Sequence, residues 1–419
     1  GYLTETLSDL NSGEVFENVY MPRNYDQIVK TENRKRTSGS LVLQYRPSDD
    51  FLLTADALYS KYDVSYRQDI LAHWFEPGNI VDATLDDNGT IVKLATGNNS
   101  YTDYLNRMSV RPTTTTAFGV NADWQLSEDV NLTADVSYSK AESKGGNGTT
   151  DTVAGFRNNY TYDNTQGGAV PIIGFEENLS KDGLGANWGS IFGDNIEDEI
   201  FESRVDIEWI VDSGALSKIH TGVSISDRTL STLPTYTSRD VYSKFWGYAI
   251  DLPSSLFTDF NADGFLSGVP GNPVDNWLIF DSYEYMAYLE SDEGMAQLSP
   301  EDAAAARAAL AAKNGHNAED KLGNSSKVQE KLSAIYLDAY FEGELNEMPW
   351  QIVAGMRYVK TDTTSSGFGL ELIDIEVPTD GDIYSPIVSD DIVPISENGD
   401  YNNFLPSLNG RIEIFEDVI

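Results

Sequence analysis

Strict alternation is the feature that most limits what this chain can fold into. In VNLTADVSYSK, residues 130–140, Val130, Leu132, Ala134, Val136 and Tyr138 alternate with Asn131, Thr133, Asp135, Ser137 and Ser139. Successive side chains of a strand point to opposite faces, so this segment has one apolar and one polar face. A soluble sandwich turns the apolar face to a core. An outer-membrane barrel turns it to lipid and lines a wet lumen with the polar face.

The pattern recurs in pairs. SGSLVLQYR and FLLTADALYSKY are joined by the turn at 47–50, and TAFGVNADWQL leads into the segment above through 127–129. FESRVDIEWIV and LSKIHTGVSIS meet at 212–214; LSAIYLDAYFEGEL and WQIVAGMRYVKTD meet at 346–349. A ninth strand opens at SLNGRIEIF. Each reads as about 10 to 13 residues, the length a tilted membrane strand requires. Between the hairpins lie long connections at 63–115, 142–199, 228–328 and 362–402. Short turns alternating with long loops are the pattern of a barrel with periplasmic turns and extracellular loops, and a soluble domain rarely carries several loops so long. Glu202, Arg204, Asp206 and Glu208 share one strand face and are too costly to bury unpaired in a dry core. The expected fold is all-β: part of an antiparallel transmembrane β-barrel with long extracellular loops. Tyr45, Tyr59, Trp124, Tyr138, Trp209, Trp350 and Tyr358, near strand ends, suit interfacial girdles or serve simply as strand formers.

Composition excludes several alternatives. The 419 residues hold 67 acids and 28 bases, a net charge of −39, and the one basic cluster is KTENRKR, Lys30 to Arg36. Nucleic acid is therefore not an expected partner. Cysteine is absent, which removes disulfides, thiolate metal sites and cysteine nucleophiles. No apolar run is long enough for a transmembrane helix, which leaves a barrel open. Catalysis has little support. No G-x-S-x-G elbow occurs, the three histidines are scattered, and carboxylate pairs mean little in a chain this acidic. GLGANWG, 183–189, lacks the strand and helix that a phosphate cradle requires. His73 is a candidate haem ligand only in isolation.

The loops carry the candidate sites. SPEDAAAARAALAAKNG, 299–315, predicts a short helix capped by Ser299, with Pro300 in its first turn and Gly315 at its end. TLDDNGTIVKL, 84–94, predicts a small hairpin about Asn88-Gly89. Asp259, Asn261, Asp263 and Gly264 match the opening of a Ca²⁺ loop, although Pro270 stands where the bidentate Glu belongs; a polar turn is the other reading. Thirteen aromatics fall between 236 and 288, too many to leave in water. They either stack on sugar-like rings or form a small core over the barrel mouth. The expected ligand contacts are Trp246, Trp277, Tyr283, Tyr285 and, in the first long connection, Trp74.

Two stretches resemble the TonB-dependent receptors of the bacterial outer membrane. GSLVLQYRPSDDFLLTADALYSKYD, Gly39 to Asp63, looks like the hairpin near the start of that barrel. FLPSLNGRIEI, Phe404 to Ile414, resembles the motif where a loop ends and a later strand begins. The resemblance runs from about residue 37 onward. It implies a receptor in the outer membrane that admits a scarce nutrient using energy relayed through TonB, in a proteobacterial branch common in glycan-using species. The family's plug domain and TonB-binding box have no counterpart here. Nine strands stand against about 22 in such barrels, so the chain is expected to be a barrel fragment. A carbohydrate or other neutral ligand fits the acidic, aromatic loops. The alternatives are a ferric-siderophore receptor and a secreted β-rich protein that binds or cleaves carbohydrate.

Overall fold

The computed structural model describes residues 2–8, 13, 15–97, 100–166, 170–262, 264–266, 268–269, 273–346, 348–376 and 385–414. Nine long strands follow one another in a single antiparallel meander: β1 (Asn24–Ser48), β2 (Phe51–Trp74), β3 (Tyr101–Ser127), β4 (Val130–Lys144), β5 (Gly185–Ser213), β6 (Leu216–Thr237), β7 (Ser326–Leu345), β8 (Met348–Glu376) and β9 (Ser385–Ile412). The all-β expectation holds, and neighbours in sequence are neighbours in the sheet. A further strand, Thr149–Arg157, wedges between β3 and β5 at the loop end.

The strands run longer than the apolar alternation suggested, from 15 residues in β4 to 29 in β5 and β8. Their extensions are rich in threonine and serine, as in Thr113–Thr116 and Thr361–Ser366. β-Branched residues hold a pleated ladder without supplying a hydrophobic signal. The connection expected at 362–402 is consequently almost all strand. β8 pairs with β9 from Trp350↔Ile412 up to Glu376↔Ser385, and 377–384 lie outside the described residues.

The short turns gather at one end, and there the two faces of the sheet differ in an unusual sense. Apolar side chains are the exposed ones: Val136 is 45% and Ile207 40% exposed, in a row with Phe118, Val120, Val205, Val223 and Ile335. On β3, β4 and β6 their polar neighbours are the more enclosed ones; on β5 Glu202, Arg204 and Glu208 are exposed, and Asp206 between them is only 8% exposed. Asp206 sits in a network on the polar face. Tyr336 donates to it; Arg204 Nη2 lies 3.0 Å and His220 Nε2 3.1 Å from its Oδ1. His220 Nδ1 is 3.2 Å from Asp338 Oδ2. Gly222, between Asp206 and Tyr336 in register, leaves room for both side chains to lean across it.

At the loop end the same apolar row acquires a cover. Leu71, Tyr104, Ala154 and Ala186 lie side by side in register on β2, β3, the wedged strand and β5. By the period of two, Tyr104 shares its face with Phe118 and Val120. The connection 238–325 folds onto that face and buries Phe245, Ile250, Trp277, Phe280, Tyr285, Met286, Leu289 and Leu310 in one core. Polar contacts fix the seat. Gln27 brackets the Val274 backbone, donating to its oxygen (2.8 Å) and accepting from its nitrogen (2.9 Å). Ser282 Oγ lies 2.7 Å from Asn106 Oδ1, and Arg67 donates to Phe280 O at 2.8 Å.

Local sequence explains the pieces of this cover. Asp281 caps the helix Ser282–Glu290, and Ser299 caps Pro300–Lys313 as expected. That second helix ends one residue earlier than Gly315, because Asn314 takes the left-handed conformation at φ 56°. The hairpin about Asn88-Gly89 forms as Ile80–Leu85 against Ile91–Thr96, with Gly89 at φ 74° and Asp86 accepting from the Asn88 and Thr90 nitrogens. It joins a four-stranded sheet with its own small core of Phe75, Ile80, Ile91, Leu94 and Tyr160.

Candidate functional site: an aromatic cleft at the loop end

The other face of the sheet, the polar one, ends in a cleft. On β3, Asp103 shares a face with Asn121 and Asp123; its partners in register are Gly155 and, on β5, Gly185. The two glycines are required by what lies over them. A Cβ at Gly155 would run into the Asp103 carboxylate, and one at Gly185 would stand 2.9 Å from Tyr248 Cβ. The cleared space holds the Tyr248 ring. Its hydroxyl donates to Asp103 Oδ1 at 2.7 Å and accepts from Asn187 Nδ2 at 3.2 Å. Tyr101 stacks on it with centroids 3.9 Å apart and planes 5° from parallel.

The chain reaches this position through an unusual backbone. Gly247 has φ 84°, and Tyr248 itself has φ 62°, a conformation uncommon for a bulky residue. Surrounding bonds hold it there. Tyr248 N donates to Ala186 O (2.8 Å), Ala186 N to Ile250 O (2.8 Å), and Gly247 N to Asn187 Oδ1 (3.1 Å). Strain of this kind persists where neighbours over-determine it, and it concentrates at functional sites.

The Tyr101–Tyr248 pair divides the cleft into two lobes. The first, about 620 Å³, is lined by Trp74, Trp246, Phe75, Arg23, Glu76 and Asn79 beside the pair. The second, about 580 Å³, is lined by Arg157, Glu177, Asn178, Ser180, Asp182 and Asp251. Both fall within the size of small-molecule sites. A larger cavity, about 790 Å³, crosses six strands near Glu142, Glu197, Lys327 and Ser366. It offers Phe368 as its one aromatic ring, and none of its polar lining residues is buried. It is roomy without being pre-organised, so the aromatic cleft is the better site.

Burial pushes the Asp103 carboxyl up to about 7, against the pull of the Tyr248 hydrogen bond. Asp26, across Ala72 in register, adds to the rise and is itself raised by burial. The cleft thus holds a carboxyl that is neutral in mild acid and charged in mild base.

The structure separates the expected ligand contacts. Trp246, 59% exposed, and Trp74, also exposed, come together on the first lobe although 172 positions separate them in sequence. Tyr283 is exposed on its helix and lines neither lobe. Trp277 is 2% exposed, packed edge-on against Phe260 (5.1 Å) and Phe265 (5.8 Å). Tyr285 is fully buried and donates to Val153 O at 2.9 Å. These last two are core, because the apolar face beneath them has to be covered. Asp259 and Asn261 lie on the short strand Thr258–Asn261; Lys181 pairs with Asp259 at 2.6 Å, and Asp263 lies outside the described residues. Among the described residues no three acidic or histidine side chains converge as a metal site. His73 is buried between Tyr160 and Phe175, with its pKa pushed down to about 4 by burial, which makes it a core histidine. Sequence reasoning missed Tyr101, Asp103 and Asn187 as cleft residues. The available signal was glycine, in WGY at 246–248 and in GLGANWG, whose Gly185 makes way for Tyr248.

No family model and no curated protein matches the chain. Among solved structures it is similar to the closed form of the ferric-catecholate import receptor Fiu from E. coli K12, at 9% identity and a TM-score of 0.35. The match covers 91% of this chain and 47% of that one, so the chain spans about half the length of that receptor.

Proposed function

We propose that the nine strands form part of the wall of an outer-membrane β-barrel receptor of the TonB-dependent kind, which binds a small nutrient at its loop end and performs no chemistry on it. The apolar row at the turn end faces lipid, the polar row faces a wet lumen, and the cleft opens on the lumen side at the outer rim. In receptors of this kind TonB acts through a plug domain. One observation carries the reading. At the turn end of β3, β4 and β6 the apolar side chains are the more exposed and the polar ones the more enclosed, the reverse of a protein folded in water and the arrangement that lipid outside and water inside require. Higher on the sheet, beyond the reach of lipid, the same apolar face is covered by protein instead.

The test is a pair of adjacent substitutions. Val136→Arg places a charge in the apolar band and costs about 2 to 4 kcal/mol at mid-bilayer. Ser137→Arg points to water and is tolerated. Folding of the two variants into lipid vesicles, followed by protease resistance, is the measurement; equal damage from both contradicts the assignment.

A further inference from the structure

We propose that the two-lobed cleft receives a neutral oligosaccharide of at least two rings, laid across the Tyr101–Tyr248 pair. The proposal names the ligand class of the receptor read above and rests on that reading for its physiological sense.

Three features of the cleft select this chemistry. The first is the pairing of flat aromatic faces with planar polar groups. A pyranose ring presents an apolar C–H face and a rim of hydroxyls; Trp74 and Trp246 meet the former, while Asn79, Asn187, Glu76, Arg23 and, in the second lobe, Asn178 and Arg157 meet the latter. The second feature is charge. The two lobes together carry Glu76, Asp103, Glu177, Asp182 and Asp251 against Arg23 and Arg157, on a chain of net charge −39. The acid excess lies mainly in the second lobe, where Glu177, Asp182 and Asp251 face Arg157, and it favours an uncharged ligand over ferric catecholate complexes, phosphosugars and uronates. The third is length. The lobes share Tyr101, Gly247 and Tyr248, so a ligand confined to one ring fills one lobe and a longer one crosses the ridge. That ridge is held in place before any ligand arrives, by the glycine cradle, the Asp103 hydrogen bond and the positive φ of Tyr248.

The experiment uses the intact receptor barrel to which these strands belong, folded in detergent micelles, with tryptophan fluorescence and calorimetry as readouts. The probes are neutral tetrasaccharides of glucose, xylose and mannose, the corresponding monosaccharides, a tetragalacturonate and a ferric tris-catecholate. The expected result is binding of at least one neutral tetrasaccharide, about 10-fold or more tighter than its monosaccharide. Trp246→Ala weakens that binding about 10-fold, equivalent to about 1.4 kcal/mol, while Tyr283→Ala, exposed outside both lobes, leaves it unchanged. Binding of no saccharide, tighter binding of the uronate or the ferric complex, or equal affinity in Trp246→Ala overturns the inference. Flotation of the same preparation with lipid vesicles reads the receptor assignment separately. A chain that floats yet binds no saccharide overturns the ligand class alone, and a chain that does not float overturns the receptor.

Discussion

Asp103→Asn isolates the cost of holding a carboxyl under Tyr248. The asparagine Oδ1 can still accept the Tyr248 hydroxyl, so the substitution removes the titration and keeps the contact. Asp103 is buried, and its pKa lies at about 7 against an ordinary 3.8. At 1.36 kcal/mol per pH unit, that gap is worth about 4 kcal/mol. The sign follows from the direction: an acid with a raised folded pKa contributes stability that is fully present below 3.8 and is lost as pH rises through about 7. The wild-type loop end therefore weakens from pH 4 to pH 8 by up to about 4 kcal/mol relative to the Asn variant. His73, lowered to about 4, runs the other way, with stability lost as pH falls below 6.5, but it is common to both proteins and cancels in the comparison. Hydrogen exchange of the amides near Tyr101–Tyr104 and Leu184–Ala186, measured at pH 5 and pH 8.5, is the assay. The variant gains protection relative to wild type at pH 8.5, and the gap narrows at pH 5. Identical pH slopes in the two proteins would refute the argument.

Two further substitutions test the division between core and cleft. Trp277→Ala empties a buried site and costs about 3 to 5 kcal/mol, whereas Trp246→Ala, at the surface, stays within about 0.5 kcal/mol; denaturant unfolding of the loop-end core reads both. Gly185→Ala drives a methyl group against Tyr248 at both Cβ and backbone, costs about 1 to 3 kcal/mol and lifts the ring off Asp103. Near-ultraviolet circular dichroism of the Tyr101–Tyr248 stack would report that displacement, and an unchanged spectrum would argue against the cradle.

The sheet was legible because its signal is local and repeats. Every hairpin read from alternation is present, and the register of β3 with β4 places Val120 opposite Val136 as one row of apolar residues requires. The strand ends were not legible. Thr113–Thr116 and Thr361–Ser366 extend the ladder with hydroxyl side chains that carry no period in hydrophobicity. The loop aromatics were countable, but their partition was not. Trp246 and Trp277 have the same chemistry, and what divides them is the apolar face of Leu71, Tyr104 and Ala154, which only the paired strands bring together. Asp103 was unreadable for a related reason. Its burial depends on Tyr248, 145 positions away in sequence, and on two glycines whose absent side chains leave no mark of their purpose.

The central claim, that the apolar row meets lipid, is tested most directly on β4. The chain has no cysteine, so single cysteines placed in turn at Leu132 through Tyr138 can each carry a nitroxide label in vesicles. Collision with dissolved oxygen is expected to peak at 132, 134, 136 and 138, and collision with a polar nickel chelate at 133, 135 and 137. Chelate access at 134 and 136, or no alternation at all, would contradict the claim.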